Sequence, residues 1–239
     1  MNDLWTMIWK EAKDFLLQGD RSAAIRPLLM IGILGVLLPW QLGQDWLALS
    51  LAAMLLILYM PFMFTSMYVG DAIAGERERH TLETLLASRI SDRAILLGKL
   101  IVTVGYAWGM VLASLLLGMV AANIASGQGR WAFYGSFGLL LEALALSLLT
   151  SLLATSAGVL ISLRAATVRQ AQQTLVLSTV VLLGAILLAT RAVPAQVLLT
   201  SSANAPQLWL VVIAAFAVLD AILLGTTLVR FQRSRLIFH

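Results

Sequence analysis

Long apolar runs alternate with short charged stretches along the whole chain. The gaps between charges run from Arg26 to Asp45, Asp45 to Asp71, Lys99 to Arg130 and Arg169 to Arg191. Two more, Arg130 to Arg164 and Arg191 to Arg230, are interrupted only by Glu142 and Asp220. A helix needs about 20 mostly apolar residues to cross about 30 Å of hydrocarbon. The gaps therefore predict six spans, at about 27–43, 46–69, 96–122, 132–162, 174–190 and 208–229. These runs are too long and too leucine-rich for the alternating strands of a transmembrane barrel. The expected class is an all-α membrane protein, read as a single domain over 1–239 without linker or internal repeat. The fourth span would reach about 46 Å if straight, so it is expected to project from the bilayer or to be broken.

The first residues follow a different pattern. Leu4, Trp5, Ile8, Trp9, Ala12, Phe15 and Leu16 fall on one helical face, and Asp3, Thr6, Lys10, Lys13 and Asp14 on the other. No cleavable signal peptide is visible in this stretch. A tryptophan stripe opposite lysines suits an amphipathic helix lying in the headgroup layer. A helix packed against the protein's own spans is the alternative. Pro27 then suits the first turn of the first span.

Composition agrees with the pattern. The 239 residues are 60% hydrophobic and 12% charged, with mean hydropathy +0.91, whereas soluble domains run about 45–50% apolar and about 25% charged. Cysteine is absent and the only histidines are His80 and His239. Disulfides, thiolate metal sites, multi-histidine metal cages and His-based triads are thereby excluded. The net charge of +4 matters less than its distribution. Fourteen basic residues fall on one side of the predicted spans: Lys10, Lys13, Arg21, Arg26, Arg77, Arg79, Arg89, Arg93, Lys99, Arg164, Arg169, Arg230, Arg233 and Arg235. Only Arg130 and Arg191 fall on the other. The positive-inside rule then places both termini in the cytoplasm of a multi-pass protein of the cell (inner or plasma) membrane.

The most informative stretch is 75–99, GERERHTLETLLASRISDRAILLGK. A mixed-charge cluster, Glu76 to Arg79, precedes a short amphipathic helix with Leu82, Leu85 and Leu86 on its apolar face and Glu83 in its first turn. Ser91 is a plausible N-cap for the helix that runs into the third span. Charges beside a leucine stripe suit docking onto a partner. A solvated connector between spans is the plainer reading, but a connector needs only a few residues.

This segment resembles the signature loop of ABC transporter permeases of the second, exporter-like type, the ABC-2 family. The family's run is close to Glu-Lys/Arg-Glu-Arg/Lys-Gly-Thr-Leu-Glu-x-Leu-Leu, followed by a Pro-Val/Ile-Ser turn and a Leu-x-Gly-Lys. Glu76, Arg77, Glu78, Arg79, Thr81, Leu82, Glu83, Leu85, Leu86, Ile90, Ser91, Leu97, Gly98 and Lys99 match it. His80 for Gly, Arg89 for Pro and Ala94 for Glu depart from it, and Ala94 removes a capping-box partner for Ser91. The resemblance implies six transmembrane helices, an N-terminal interfacial helix and a cytoplasmic coupling-helix loop. It also implies a second permease half, identical or different, and a separate ABC nucleotide-binding ATPase subunit contacted through Glu76, Arg77, Glu78, Arg79, Thr81, Leu82, Glu83, Leu85, Leu86 and Ser91. ATP and Mg would be held by that partner, and no cofactor, metal or nucleic acid by this chain. Consistently, Gly98-Lys99 is followed by Leu100 and lacks the spacing of a phosphate loop. Ser126-Gly127-Gln128-Gly129 resembles an ABC signature only faintly and lies on the outer side of the predicted topology.

Two acids fall inside the predicted spans. Counted from the predicted outer ends, Glu142 and Asp220 lie roughly 15 and 18 Å deep. Burying a charge there costs roughly 2.5–3.5 kcal/mol on insertion scales. They mark either a polar spot on a translocation path, favouring cationic groups, or protonated acids hydrogen-bonded to hydroxyls such as Ser147 or Thr226. Gly105 and Gly109 form a close-packing motif in the third span. It would serve a contact between permease halves or one within the chain, and the internal contact is the expectation. Pro194 and Pro206 bracket an outer stretch that folds back as short helices in related permeases.

Three rivals to the ATP-driven permease remain. A proton-coupled secondary transporter would use Glu142 and Asp220, but such carriers commonly show paired repeats. A membrane scaffold or sensor could keep the same fold without transporting. A membrane-embedded protease fails for want of an intramembrane histidine, and Tyr68-Val69-Gly70-Asp71 lacks the leading glycine of the aspartyl type. Substrate and transport direction are not legible here.

Overall fold

The computed structural model describes residues 2–17, 21–70, 74–81, 89–127, 130–165, 167–192 and 205–231. Among them there is no strand. The elements in chain order are α1 (Asn2–Leu17), α2 (Arg21–Ile31), a π-helical segment (Gly32–Leu37), α3 (Leu38–Leu42), α4 (Gln44–Leu47), α5 (Leu51–Gly70) and α6 (Glu76–Glu78). Then come α7 (Asp92–Ser126), α8 (Phe137–Arg164), α9 (Val168–Ala192) and α10 (Ala205–Arg230).

Helices occupy all six predicted intervals, but they differ in length from the expectation. Among the described residues, four stretches are long and apolar enough to cross a membrane: Ile25–Leu42, Asp92–Ser126, Phe137–Arg164 and Leu210–Arg230. The predicted second span is divided. Gly43 and Leu49 take left-handed φ values of 53° and 52°, so the chain turns through α4 and the 20-residue helix α5 starts only at Leu51. The predicted fourth span starts later than expected. Residues 131–136 are not helical, and Ser136 caps Phe137–Arg164, accepting from the Leu139 amide. The helix itself is continuous over 28 residues, shorter than the predicted interval at its N-terminal side. The helix of greatest length is α7, 35 residues, capped by Ser91 and stopped by Gly127 at φ 59°. The π-helical turns end two residues before Pro39 and include Gly35, four residues back from it. A proline ring clashes with the carbonyl four residues back, and a widened turn accommodates it.

The core lies between α3–α5, α7 and α8, around Trp46, Ile57, Met60, Phe64, Val111 and Leu115. One end is held by polar contacts. Trp46 Nε1 donates to Tyr134 Oη at 3.1 Å, and Tyr134 Oη donates to the Leu115 carbonyl at 2.8 Å. Asn123 holds both the carbonyl and the amide of Ala132, at 2.8 and 2.7 Å. The other end carries Arg77, Lys99, Arg164 and Phe231. There a second cluster joins Met7 of α1 to Ile95, Leu96 and Leu100 of α7, Val159 of α8 and Phe231.

Of the two readings of the amphipathic helix, the contacts show packing against the protein's own helices. Helix α1 packs along α7 through Met7, which is fully buried, while Trp5 and Trp9 are 68% and 66% exposed. The face turned to the protein includes the charged pair Lys10 and Glu11 rather than the tryptophans. Gly98 permits the approach: a Cβ there would lie 2.6 Å from Met7 Cγ. The close-packing motif is a correction. A Cβ at Gly105 or Gly109 meets nothing within 4 Å, so neither serves a contact within the described chain.

Candidate functional site

The predicted docking cluster is built into the bundle. Helix α6 is a single turn, closed by a Schellman pattern: His80 N donates to Arg77 O at 3.1 Å, and Thr81 N donates to Glu76 O at 2.9 Å. That pattern needs a left-handed residue at its C′ position, and His80 supplies it at φ 55°. The signature run carries glycine there, for which this conformation is free of the Cβ penalty. The histidine departure thus leaves the turn in place.

Three consecutive charges on this turn reach three different places. Glu76 Oε1 accepts from Lys99 Nζ of α7 at 2.9 Å, and the same ammonium donates to Glu11 of α1 at 3.0 Å. Lys10 stands 3.6 Å from both carboxylates. The Lys99 side chain is 3% exposed, Glu11 8% and Glu76 13%. Arg77 donates through Nη1 to the Ala165 carbonyl at 2.8 Å and through Nη2 to the Leu163 carbonyl at 3.2 Å. A cation at a helix C-terminus is favourable with the macrodipole. Glu78 accepts from the Val168 amide at 3.0 Å, where a carboxylate suits the start of α9. Ser162 Oγ adds an acceptor for the Ala74 amide at 2.9 Å. One turn therefore joins α1, α7, the end of α8 and the start of α9.

This arrangement alters what the sequence suggested. Glu76, Arg77 and Glu78 are engaged within the chain, so their contribution to a partner surface is restricted. Arg79, His80 and Thr81 are exposed. Leu82, Glu83, Leu85 and Leu86 lie outside the described residues, as does the stretch 193–204. Ser91 caps α7 as expected, accepting from the Ala94 amide at 3.3 Å. The sequence reading missed Glu11 and Lys10. Their signal was present, a charged pair three and four residues beyond Met7 on an amphipathic helix, but nothing in one sequence pairs Glu11 with Lys99.

The two intramembrane acids are separated in character. Glu142 is only five residues into α8, because that helix begins at Phe137. It is half-buried, with Oε2 lacking a hydrogen-bond partner. Asp220 is central in α10 and 2% exposed, and neither carboxylate oxygen has a partner. The hydroxyls expected to satisfy these acids are turned to backbone. Ser147 donates to Leu144 O at 2.9 Å and accepts from Trp108 Nε1 at 3.2 Å, and Thr226 donates to Leu223 O at 2.9 Å.

A family model described as ABC-2 family transporter protein matches residues 38–224. No curated protein matches the chain.

Proposed function

The chain belongs to the ABC-2 transporter family, and from that premise we propose that it is one permease half of an ATP-driven exporter of the cell membrane. Six helices span the bilayer, with both termini in the cytoplasm, as the split of basic residues favours. A second half completes the pathway, and a separate ABC subunit binds Mg and hydrolyses ATP. That subunit docks on the loop from Glu76 to Ser91, with Thr81, Leu82, Glu83, Leu85 and Leu86 as the contact face and Arg79 at its edge.

The observation that carries this reading is the junction at α6. A docking loop transmits motion only if its root is fastened to the moving helices. Here Glu76, Arg77 and Glu78 fasten it to α7, to the end of α8 and to the start of α9. Closure of the ATPase subunits would displace the loop, and these bonds would carry the displacement into the spans. Glu142 and Asp220 are the candidates for contact with cargo on the path.

The test is a pull-down of the tagged chain from native membranes in mild detergent, with an ATPase assay on what accompanies it. The expected result is a stoichiometric ATPase that is lost with Glu83→Arg or Leu85→Asp while both variants still insert. A chain that purifies without any ATPase refutes the proposal and brings forward proton coupling through Glu142 and Asp220. Unchanged association in both variants refutes the docking role of the loop.

A further inference from the structure

The membrane interior of this chain has a charge imbalance. Residues 51–70, 100–129, 131–163, 170–190 and 192–229 contain no Lys or Arg, yet they contain Glu142 and Asp220. No internal cation is available at those depths. Asp220 is the more telling of the two. It sits ten residues before Arg230, about 15 Å along the helix. It lies on the narrow stripe of α10 that also buries Thr227 and continues to Phe231 just past the helix end, and α10 packs chiefly along α8. The other described side chains of α10 are largely exposed, with Val211, Val218, Ile222 and Val229 turned outward.

Hydroxyls on the two helices do not satisfy the acid. Thr227 donates to Leu223 O at 2.6 Å, Ser151 to Ser147 O at 2.6 Å and Thr155 to Ser151 O at 2.7 Å. Ser156 Oγ is itself buried without a partner. A buried carboxylate without a partner costs free energy that apolar replacements would avoid. Its retained acceptors point to a ligand from outside the chain, and the absence of any base selects the sign of that ligand.

We propose that the seam between α8 and α10 is a recognition site for a positively charged group, with Asp220 as its carboxylate, occluded in this conformation. Resting on the permease reading, this makes the cargo class cationic: an organic ammonium or an alkali cation. Helix α10 is held along one face, so its separation from α8 exposes the acid without dismantling the bundle core.

The experiment uses the full chain purified in mild detergent, titrated with ethidium as the hydrophobic-cation probe and, separately, with LiCl, NaCl and KCl while thermal unfolding is followed. Variants are Asp220→Asn, Asp220→Glu and Asp220→Ala. The expected result is saturable ethidium binding weakened at least about tenfold in Asp220→Asn and kept in Asp220→Glu. Cation-specific stabilisation by one alkali salt, lost in Asp220→Asn, identifies the inorganic source instead. Asp220→Asn removes no hydrogen bond, so it unfolds no earlier than the parent; should it fail to fold, Asp220→Ala against Asp220→Glu carries the comparison. Equal response of parent and uncharged variants, or no saturable response to either probe, overturns the proposal. The same preparation is assayed for co-purifying ATPase. Loss of the ATPase with binding retained sinks the permease reading alone, and the converse sinks the cation site alone.

Discussion

Replacing Lys99 by Met should be the most damaging single change at the basic end. Its ammonium is almost wholly buried and bonds two carboxylates, Glu76 at 2.9 Å and Glu11 at 3.0 Å. Met keeps most of the side-chain volume and removes the charge. Two carboxylates with side-chain exposures of 13% and 8% are then left with only Lys10, 3.6 Å away and itself 42% exposed. Removing one partner of a buried ion pair costs about 3–5 kcal/mol, because the remaining charge stays buried without compensation. For a chain of this size that corresponds to a fall in Tm of roughly 6–20 °C. Glu11→Gln removes one charge-assisted bond and leaves Lys99 with Glu76, so it should cost less, about 1.5–3 kcal/mol. Because the cluster is buried, both effects should persist in 0.5 M salt, where a surface pair would be screened away at a Debye length of about 3–5 Å. The assay is thermal unfolding in mild detergent at low and high salt, for Lys99→Met, Glu11→Gln and the double variant. The double variant should lose less than the sum, since both changes remove the same contact. A Lys99→Met protein that melts within about 2 °C of the parent, or whose loss vanishes in salt, would show that this cluster does not hold α1, α6 and α7 together.

The remaining predictions use the same preparation. Gly98→Ala places a Cβ 2.6 Å from Met7 Cγ and should destabilise by about 1–3 kcal/mol; Met7→Ala in the same chain should restore much of that, and an unchanged Tm in Gly98→Ala alone would refute the close packing. His80→Gly relieves a left-handed Cβ at φ 55° and should stabilise by up to about 1 kcal/mol, read as a raised Tm with unchanged ATPase association; a lowered Tm would contradict the turn geometry. Gly105→Leu and Gly109→Leu meet open space within the chain and should leave its Tm unchanged. If a second half packs on that face, crosslinking between halves should fall.

Much of this architecture was legible because membrane insertion is written in composition. Apolar run length and the gaps between charges located helices in all six intervals, and Ser91 announced the start of α7. Boundaries were less legible where apolar residues do not mean helix. Trp131, Ala132, Phe133 and Tyr134 read as membrane, yet they lie outside α8; Tyr134 bonds Trp46 and Leu115, and Ala132 bonds Asn123. That displacement also puts Glu142 close to the start of its helix. The charged run at 76–79 looked like a free surface because charge is usually solvated. Its residues instead terminate and initiate helices far away in sequence, with separations near 90 residues for Arg77 and Glu78. Such pairings follow from tertiary approach and have no local signature. Gly105 and Gly109 show the complementary error: spacing identifies a smooth face but not what lies against it.

Helix α7 has one further consequence. Its 35 residues make a rod about 52 Å long, held at one end by Lys99 and at the other by Asn123 and the Leu115 carbonyl. A lever of that length magnifies small rotations. Tilting it by about 5° about Lys99 displaces the Ser126 end, about 40 Å away, by roughly 3–4 Å, about the width of a methylene chain. A movement at α6 too small to disturb the helices' packing locally would thus be felt at the opposite surface as the opening or shutting of a gap.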